Sequence, residues 1–349
     1  MPTIRELGFA PGRLQPGARN ALTDVAGVRV GHCTVHNARH NTGVTVILPR
    51  EDVYFHKCTA AAAVINGYGK SAGLVQIEEL GQLETPIALT NTLGVGLVSD
   101  ALVQHTAEVC EKYGERLRSV NPVVGECNDS ELNEIADRVI GRREVERAFA
   151  SAGADFAQGC VGAGASMICH GLKGGIGSAS RVVEIGGRAF TVGVLALCNH
   201  GCLEELNILG RKPGAAIRAR QEETRPESDV GSCILVLGTD LPVSSRQLGR
   251  LTRRCAVGLA RVGSYWGHGS GDIAIGFTTA HDLRAGKAEE PPIATRAILR
   301  EDLLEQPFLA AAEAAEESVL NALAAAVPTT GFDGKICHEI GRASCRERV

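Results

Sequence analysis

Short apolar stretches separated by glycine-rich breaks recur along the chain, and this pattern predicts several buried or half-buried strands. β-Branched and aliphatic residues, which strands favour, are concentrated in these stretches. The predicted strands lie at residues 24–31, 43–48, 60–65, 86–92, 178–185, 188–197, 233–238 and 272–279. Gly186 and Gly187 separate two of them and predict a tight hairpin turn.

Apolar residues at helical spacing predict three helices. The first covers residues 97–117; the second follows Pro242, with Ser244 as its N-cap, and extends to Leu259. The third, between Phe308 and Leu323, is alanine-rich and amphipathic by pattern. Strands and helices mix without strict alternation, which favours a layered α/β or α+β architecture. No repeat or long linker divides the chain, so we expect one domain over residues 1–340.

The last nine residues, 341–349 (GRASCRERV), break from the composition that precedes them. They contain three arginines and no apolar pattern. We therefore interpret them as a non-native tail from cloning or assembly and exclude them from the fold prediction.

Composition narrows the class of protein. The 349 residues are 44% hydrophobic, enough for a large core, while aromatics are only 4% and glycines number 42, which predicts close backbone packing. A net charge of −4 gives no basic face for nucleic acid. No apolar run reaches the ~18–20 residues that would span a membrane. Without a signal-peptide pattern, we expect a cytoplasmic protein whose twelve cysteines, none in a C-x-x-C pair, are reduced.

Two glycine clusters and three evenly spaced histidines are candidate binding sites. Residues 173–178 (KGGIGS) and 66–70 (NGYGK) could cradle an anion, but neither has the spacing of a phosphate loop, so close backbone packing is favoured. His32, His36 and His40 would share one face of a helix and could hold a metal. Their flanking sequence is extended, which would scatter the rings. We expect no metal or other cofactor.

The pair Gly231-Ser232 directly precedes an apolar strand. A turn entering a core strand is the simpler interpretation; a catalytic serine is the alternative. Strand alternation turns the neighbouring Cys233 to the opposite side from Ser232. Other polar residues also stand at strand ends: Asn199 ends one strand, and Ser270 and Asp272 open another. Such groups can converge at one rim of a sheet, where sites often form.

At these positions the sequence resembles the L-aminopeptidase/D-esterase (DmpA-like) family, which includes the β-peptidyl aminopeptidases. The resemblance spans roughly residues 20–335 and rests on a series of short motifs in order. These motifs are NALTDV (20–25), GVRVGH (27–32), TGVT (42–45), ING (65–67), LETPIALTNT (83–92), KGGIGS (173–178) and ESVLNAL (317–323). The resemblance implies a four-layered α/β/β/α sandwich like that of N-terminal-nucleophile hydrolases, made as an inactive precursor.

The resemblance also implies a role for each site residue. Gly231–Ser232 corresponds to the processing bond, whose cleavage gives fragments 1–231 and 232–349 with Ser232 as nucleophile. Asn199 corresponds to the oxyanion donor. Ser270 and Asp272 correspond to a pair that orients the new amine, and Asp272 is one methylene shorter than the glutamate frequent in the family. The chemistry is consistent, because an α-amine titrates near ~7.7–8.0 and can accept the proton of a serine hydroxyl.

The resemblance implies the activity of a serine aminopeptidase or amidase that acts on short peptides, amides or esters. It also implies that the cleaved pairs assemble as tetramers or larger rings. Some relatives carry a tyrosine near the position of Glu131. A carboxylate there would favour a positively charged substrate group if it lines the pocket, and would have no role if it faces solvent. The alternatives are an amidase for non-peptide or polymeric amides, an acyl transferase, or a catalytically silent binding protein.

Overall fold

The computed structural model describes residues 2–219, 229, 231–284, 293 and 295–341. Of the proposed tail, residues 341–349, all but the first residue lie outside the described residues. The strands are β1 (Arg29–His36), β2 (Asn41–Leu48), β3 (His56–Gly67), β4 (Gln82–Leu83), β5 (Ile87–Asn91), β6 (Val123–Cys127), β7 (Ile168–Cys169), β8 (Leu172–Lys173), β9 (Gly175–Ile185), β10 (Arg188–Asn199), β11 (Gly231–Thr239), β12 (Ser270–Arg284), β13 (Thr329–Thr330) and β14 (Ile336–Cys337). The helices are α1 (Leu74–Leu80), α2 (Val95–Lys112), α3 (Arg142–Ala150), α4 (Gly214–Arg218), α5 (Ser245–Arg261) and α6 (Glu305–Ala324).

Two stacked sheets form the centre of the molecule. One has four strands in the order β1-β2-β5-β6, and the other has six in the order β4-β3-β12-β11-β10-β9. Apolar side chains such as Leu89, Ile234 and Ile275 fill the space between them. Helices α2 and α3 cover the outer face of the four-stranded sheet, and α5 and α6 cover that of the six-stranded sheet. The fold is therefore the α/β/β/α sandwich that the family resemblance implied.

Local patterns in the sequence located several elements correctly. The hairpin of β9 and β10 turns at Gly186 and Gly187, and Ile185 pairs with Arg188. Ser244 caps α5, and its side chain accepts a hydrogen bond from Gln247 N at 3.2 Å. Among the described residues, no helix is long and apolar enough to cross a membrane.

Two predicted boundaries were wrong. The strand expected at residues 24–31 begins only at Arg29, because Asp24 closes a 3₁₀ turn instead. The Asp24 carboxylate accepts hydrogen bonds from Arg19 N and Ala21 N, which fold the chain back locally. The first long helix, α2, stops at Lys112 rather than at residue 117. Gly114, with φ of 69°, follows in the left-handed region, which ends helices.

The amphipathic interpretation of the last helix was also wrong. Seventeen of the twenty residues of α6 are buried, including Glu313 and Glu317. Their carboxylates are tolerated because Arg181 of β9, itself fully buried, bonds Glu313 at 3.1 Å and Glu317 at 2.6 Å. The helix also lies close to β9: a Cβ at Gly177 would be 1.9 Å from the Ser318 carbonyl oxygen. The close-packing interpretation of the 173–178 glycine cluster is confirmed.

Candidate active site

Three adjacent strands bring the sequence-predicted site residues together at one end of the six-stranded sheet. In the antiparallel pair β10–β11, Asn199 lies opposite Ser232. In the parallel pair β11–β12, Ser232 lies beside Gly271, between Ser270 and Asp272 in register. The expected convergence at one rim of a sheet is therefore present.

Ser232 and Asn199 face the space between the two sheets. Ser232 is 5% exposed, and its Oγ donates a hydrogen bond to the Gly231 carbonyl oxygen at 2.7 Å. The Asn199 Oδ1 accepts from Ile168 N at 2.8 Å, and its Nδ2 donates to the Asn128 carbonyl at 2.9 Å. These bonds fix the amide plane from both sides, so the side chain is held in one orientation beside the serine.

Gly231 can only be glycine in this arrangement. Its φ is 123°, in a region that other residues rarely adopt. A Cβ on Gly231 would lie 1.9 Å from the Asn199 carbonyl oxygen. The residue before the serine is thus pressed against the end of β10, with its carbonyl beside the serine hydroxyl.

Ser270 and Asp272 lie on the opposite face of the sheet from Ser232 Oγ. Gly271, between them, faces the serine: a Cβ there would be 3.0 Å from Ser232 Oγ. Ser270 Oγ and both Asp272 oxygens are buried, and among the described residues the carboxylate has the Ser270 hydroxyl and the Cys233 backbone N–H near it but no positively charged side chain. Burial raises the pKa of Asp272 to about 6; the nearby Ser270 hydroxyl opposes the rise, and the charge of Asp229 adds to it.

Cys233 points away from Ser232, as alternation predicted. Its side chain packs with Cys198 and Leu235 in the core beneath α5 and α6. Burial raises the pKa of Cys233 to about 12, so its thiol is protonated at neutral pH.

Comparison with known proteins identifies the family. The sequence profile described as Peptidase family S58 matches residues 20–337. The chain belongs to peptidase family S58. It is 36% identical to the β-peptidyl aminopeptidase BapA of Sphingosinicella xenopeptidilytica, over 95% of this chain and 86% of that protein.

Solved structures of similar proteins support the same family and fold. A Burkholderia sp. β-aminopeptidase has a TM-score of 0.89 at 40% identity, covering 98% of this chain and 96% of its own. The L-aminopeptidase D-Ala-esterase/amidase of Ochrobactrum anthropi, described as a variant of the Ntn hydrolase fold, has a TM-score of 0.89 at 34% identity, covering 97% and 95%. The expected family and fold are confirmed, and the protein is a peptidase, hence a hydrolase.

In this S58 peptidase, Asp229 is a site residue that sequence reasoning missed. It is 2% exposed and lies two residues before the Gly231–Ser232 bond. Its carboxylate accepts hydrogen bonds from Gly201 N at 2.8 Å and Tyr265 N at 3.2 Å. These hydrogen bonds hold Asp229 in place two residues before Gly231. No local pattern marks Asp229, because its partners are 28 and 36 residues away.

Glu126 is a second residue that the sequence did not single out. This β6 carboxylate is 2% exposed and accepts hydrogen bonds from Lys70 N at 2.7 Å and from the Thr92 hydroxyl. Gly69 lies between Glu126 and the serine. A Cβ on Gly69 would be 3.4 Å from Glu126 Oε1, and Gly69 Cα is 3.1 Å from a Cβ built on Gly271, the residue that faces Ser232. In the 66–70 glycine cluster, the Lys70 backbone N–H therefore binds a protein carboxylate.

Glu131 and the three spaced histidines lie in other environments. Glu131 has a side chain 68% exposed, with Lys335 Nζ 3.6 Å from its carboxylate. The His32 ring contacts Thr45, the His36 ring contacts Asn41, and the His40 ring lies 3.4 Å from Asp137. The three rings thus have separate partners.

Proposed function

We propose that this peptidase is a self-processing serine aminopeptidase in which cleavage of Gly231–Ser232 creates the catalytic N-terminus. One observation carries the proposal. On one face of β11, the Ser232 hydroxyl lies beside the Asn199 amide; on the other, Ser270 and Asp272 present a buried hydroxyl and a buried carboxylate that has no cation beside it among the described residues. The backbone nitrogen of Ser232 lies between these two sets of groups. An α-ammonium formed there would provide the charge that the buried carboxylate otherwise lacks.

Processing uses groups already in place. Ser232 Oγ attacks the carbonyl carbon of Gly231, the C–N bond breaks, and the nitrogen takes up the hydroxyl proton to become an amine. The resulting ester between Gly231 and Oγ is opened by water, which leaves a carboxylate on Gly231 and restores the hydroxyl. The 2.7 Å contact between Oγ and the Gly231 carbonyl and the anchored Asp229 support this step.

In turnover the same hydroxyl attacks a substrate carbonyl. The neutral α-amine of Ser232 takes the hydroxyl proton and later passes it to the leaving amine. The second N–H of Asn199 Nδ2, beyond the one bound to Asn128, donates to the oxyanion; losing one such donor typically costs ~10²–10³ in rate. Ser270 and Asp272 position the amine without touching the substrate.

The substrates we propose are short peptides, amides or esters with a free N-terminus. Glu126 supports this choice, because a buried carboxylate one glycine away from the serine can pair with the substrate's α-ammonium. The names of the relatives extend the proposal to β-amino acid N-termini. Glu131 remains a candidate for contact with a basic side chain.

We further propose one domain over residues 1–340, cleaved into 1–231 and 232–349. Cleavage leaves β11 between β10 and β12, so both fragments stay in one sheet. The buried cysteines near the site, Cys127, Cys198 and Cys233, are free thiols, which supports a reducing, cytoplasmic location.

Intact-mass analysis under denaturing conditions tests the proposal. Wild type should give fragments of 231 and 118 residues, the second beginning with Ser232. Ser232→Ala should remain one chain, with no aminopeptidase activity on alanyl p-nitroanilide. Cleavage of Ser232→Ala at the same bond, or an uncleaved but active wild type, would refute the nucleophile assignment.

A further inference from the structure

Three metal-ligating side chains meet next to the candidate active site, in positions that no step of the proposed reaction uses. Cys169 ends β7, His170 follows in the turn to β8, and His200 follows the last residue of β10. All three are at most 1% exposed, and one ligand atom from each lies within 4.8 Å of the other two. No other group of three histidine, cysteine or acidic side chains in the described part of the chain is so arranged.

The histidine rings have buried nitrogens without partners. His170 Nε2 and both ring nitrogens of His200 lack a hydrogen-bond partner among the described residues. Leaving such groups buried and unpaired destabilises the folded state, and a bound ligand would remove that cost. His170 Nδ1 lies 3.0 Å from the Cys202 carbonyl oxygen, which can only accept, so Nδ1 carries the proton and Nε2 keeps its lone pair. A backbone carbonyl in this place is the usual outer partner of a metal-bound histidine.

The surrounding charges suit a divalent cation. His170 and His200 are fully buried and present imidazole nitrogens without hydrogen-bond partners among the described residues. The buried carboxylate of Asp229 accepts a hydrogen bond at 2.8 Å from the N–H of Gly201, the residue after His200, so it lies close to the three side chains. A 2+ ion, one thiolate and the Asp229 carboxylate sum to zero, so the ion would not leave an uncompensated charge in the core.

We propose that Cys169, His170 and His200 form a binding site for one zinc ion. A thiolate with two imidazoles suits zinc and excludes magnesium or calcium, which require oxygen ligands. On binding, a zinc–sulfur bond forms and the Cys169 proton leaves to solvent. Zinc bonds of ~2.0–2.3 Å place tetrahedral ligands roughly 3.3–3.7 Å apart, so the side chains need to close by about 1 Å. A fourth position is left for a small ligand.

The site would brace the oxyanion side of the active site. Ile168, before Cys169, donates its backbone N–H to Asn199 Oδ1, and His170 N donates to the His200 carbonyl at 2.7 Å. An ion bridging the β7–β8 turn and the end of β10 would therefore lock the two segments that hold Asn199. This role is structural and does not depend on the proposed self-cleavage.

The test uses full-length, tag-free protein, stripped with a chelator and titrated with Zn²⁺, with Co²⁺ as a spectroscopic probe. Wild type should bind one equivalent of Zn²⁺, gain several degrees in Tm, and show the near-ultraviolet sulfur-to-cobalt charge-transfer band with Co²⁺. Mg²⁺ at the same concentration should change none of these readouts. Binding well below one equivalent, or a cobalt complex without the sulfur band, would overturn the proposal.

Variants assign the ligands. Cys169→Ala should abolish the charge-transfer band, and both Cys169→Ala and His200→Gln should weaken Zn²⁺ binding at least about hundredfold. Cys255→Ala removes a buried thiol of the same core from α5 and should bind like wild type. Circular dichroism confirms folding; if Cys169→Ala does not fold, Cys169→Ser and His200→Gln carry the comparison. Unchanged binding in those folded variants would assign the metal elsewhere, as would loss of binding in Cys345→Ser, which changes the one cysteine of the proposed tail.

Discussion

Burial holds the pKa of Asp272 at about 6 in the intact chain, above the ~3.9 of an unfolded aspartate. Between these values Asp272 binds more protons in the folded state than in the unfolded state, so its contribution to the free energy of unfolding falls as pH rises from about 4 to about 6. A shift of two units corresponds to about 3 kcal/mol. The proposed cleavage would end this loss of stability, because an α-ammonium beside Asp272 would favour the carboxylate.

We predict this pH dependence for uncleaved Ser232→Ala. Urea unfolding between pH 4 and 7 should show that Asp272→Asn in this background gains stability relative to Ser232→Ala as pH rises, by up to about 3 kcal/mol, because other shifted groups such as Asp129 and His32 contribute equally to both proteins. Asp137→Asn, a partly exposed carboxylate, is the control and should leave the pH dependence unchanged. Parallel curves for Ser232→Ala with and without Asp272→Asn would contradict the buried-carboxylate argument.

Cys233→Ala separates the serine from its neighbour. Because the thiol faces the helical layer and is protonated at neutral pH, the variant should process fully and keep kcat/KM within about twofold of wild type. Mass spectrometry and a p-nitroanilide assay measure both. A folded but inactive Cys233→Ala protein would transfer the nucleophile role to the thiol.

Glu126 and Glu131 are expected to affect substrate choice in different ways. Glu126→Gln should lower kcat/KM for alanyl, lysyl and glutamyl p-nitroanilides alike, because all three share the α-ammonium. Glu131→Gln should change only the lysyl-to-glutamyl ratio, by at most about tenfold or ~1.4 kcal/mol, and Lys335 reduces that effect. An unchanged ranking and ratio would exclude Glu131 from selection. A selective loss with Glu126→Gln would exclude its pairing with the ammonium.

At the scale of elements, the packing of α6 on β9 depends on a buried ion cluster. Arg181 is fully buried between Glu313 and Glu317, and Arg5 bonds Glu317 at 2.6 Å. Arg181→Met should destabilise uncleaved Ser232→Ala by about 3–5 kcal/mol, since it removes the one fully buried cation from Glu313 and Glu317, and Arg5 pairs only with Glu317. Urea denaturation measures the loss, and Arg253→Met on the exposed face of α5 is the control. A loss no greater than that of the control would show that the cluster contributes little.

Elements whose cause is local were predictable from the sequence. The Gly186-Gly187 turn, the Ser244 cap and the direction of Cys233 each follow from a few neighbouring residues. The burial of α6 was not predictable, because it depends on contact between Arg181 and Glu313, which are 132 residues apart in the sequence. Asp229, Glu126 and the Cys169, His170 and His200 cluster were missed for the same reason. Strand register brought Asn199, Ser232 and Asp272 together, and only the family resemblance had assigned their roles.

At the scale of the whole molecule, the surface available for self-association lies outside the alanine-rich helix α6. Alanine-rich helices allow close packing between subunits, but α6 is buried within its own chain and cannot form such a contact. Large apolar side chains are instead exposed on β3 and α1 and in the segment between them. Their exposed fractions are 61% for Val64, 58% for Tyr68, 84% for Val75 and 56% for Leu80. Apolar surface of this kind favours association with another protein surface.

We therefore predict that cleaved pairs assemble, as the family resemblance implied, and that this surface takes part. Light scattering at micromolar concentration should give a mass of at least several times one cleaved pair. Val75→Asp should lower that mass, because a charge in a buried apolar contact lacks a partner. Val257→Asp, at a half-exposed valine of α5, is the matched control and should leave the assembly intact. A single cleaved pair in wild type would exclude assembly, whereas dissociation only with Val257→Asp would move the contact to α5.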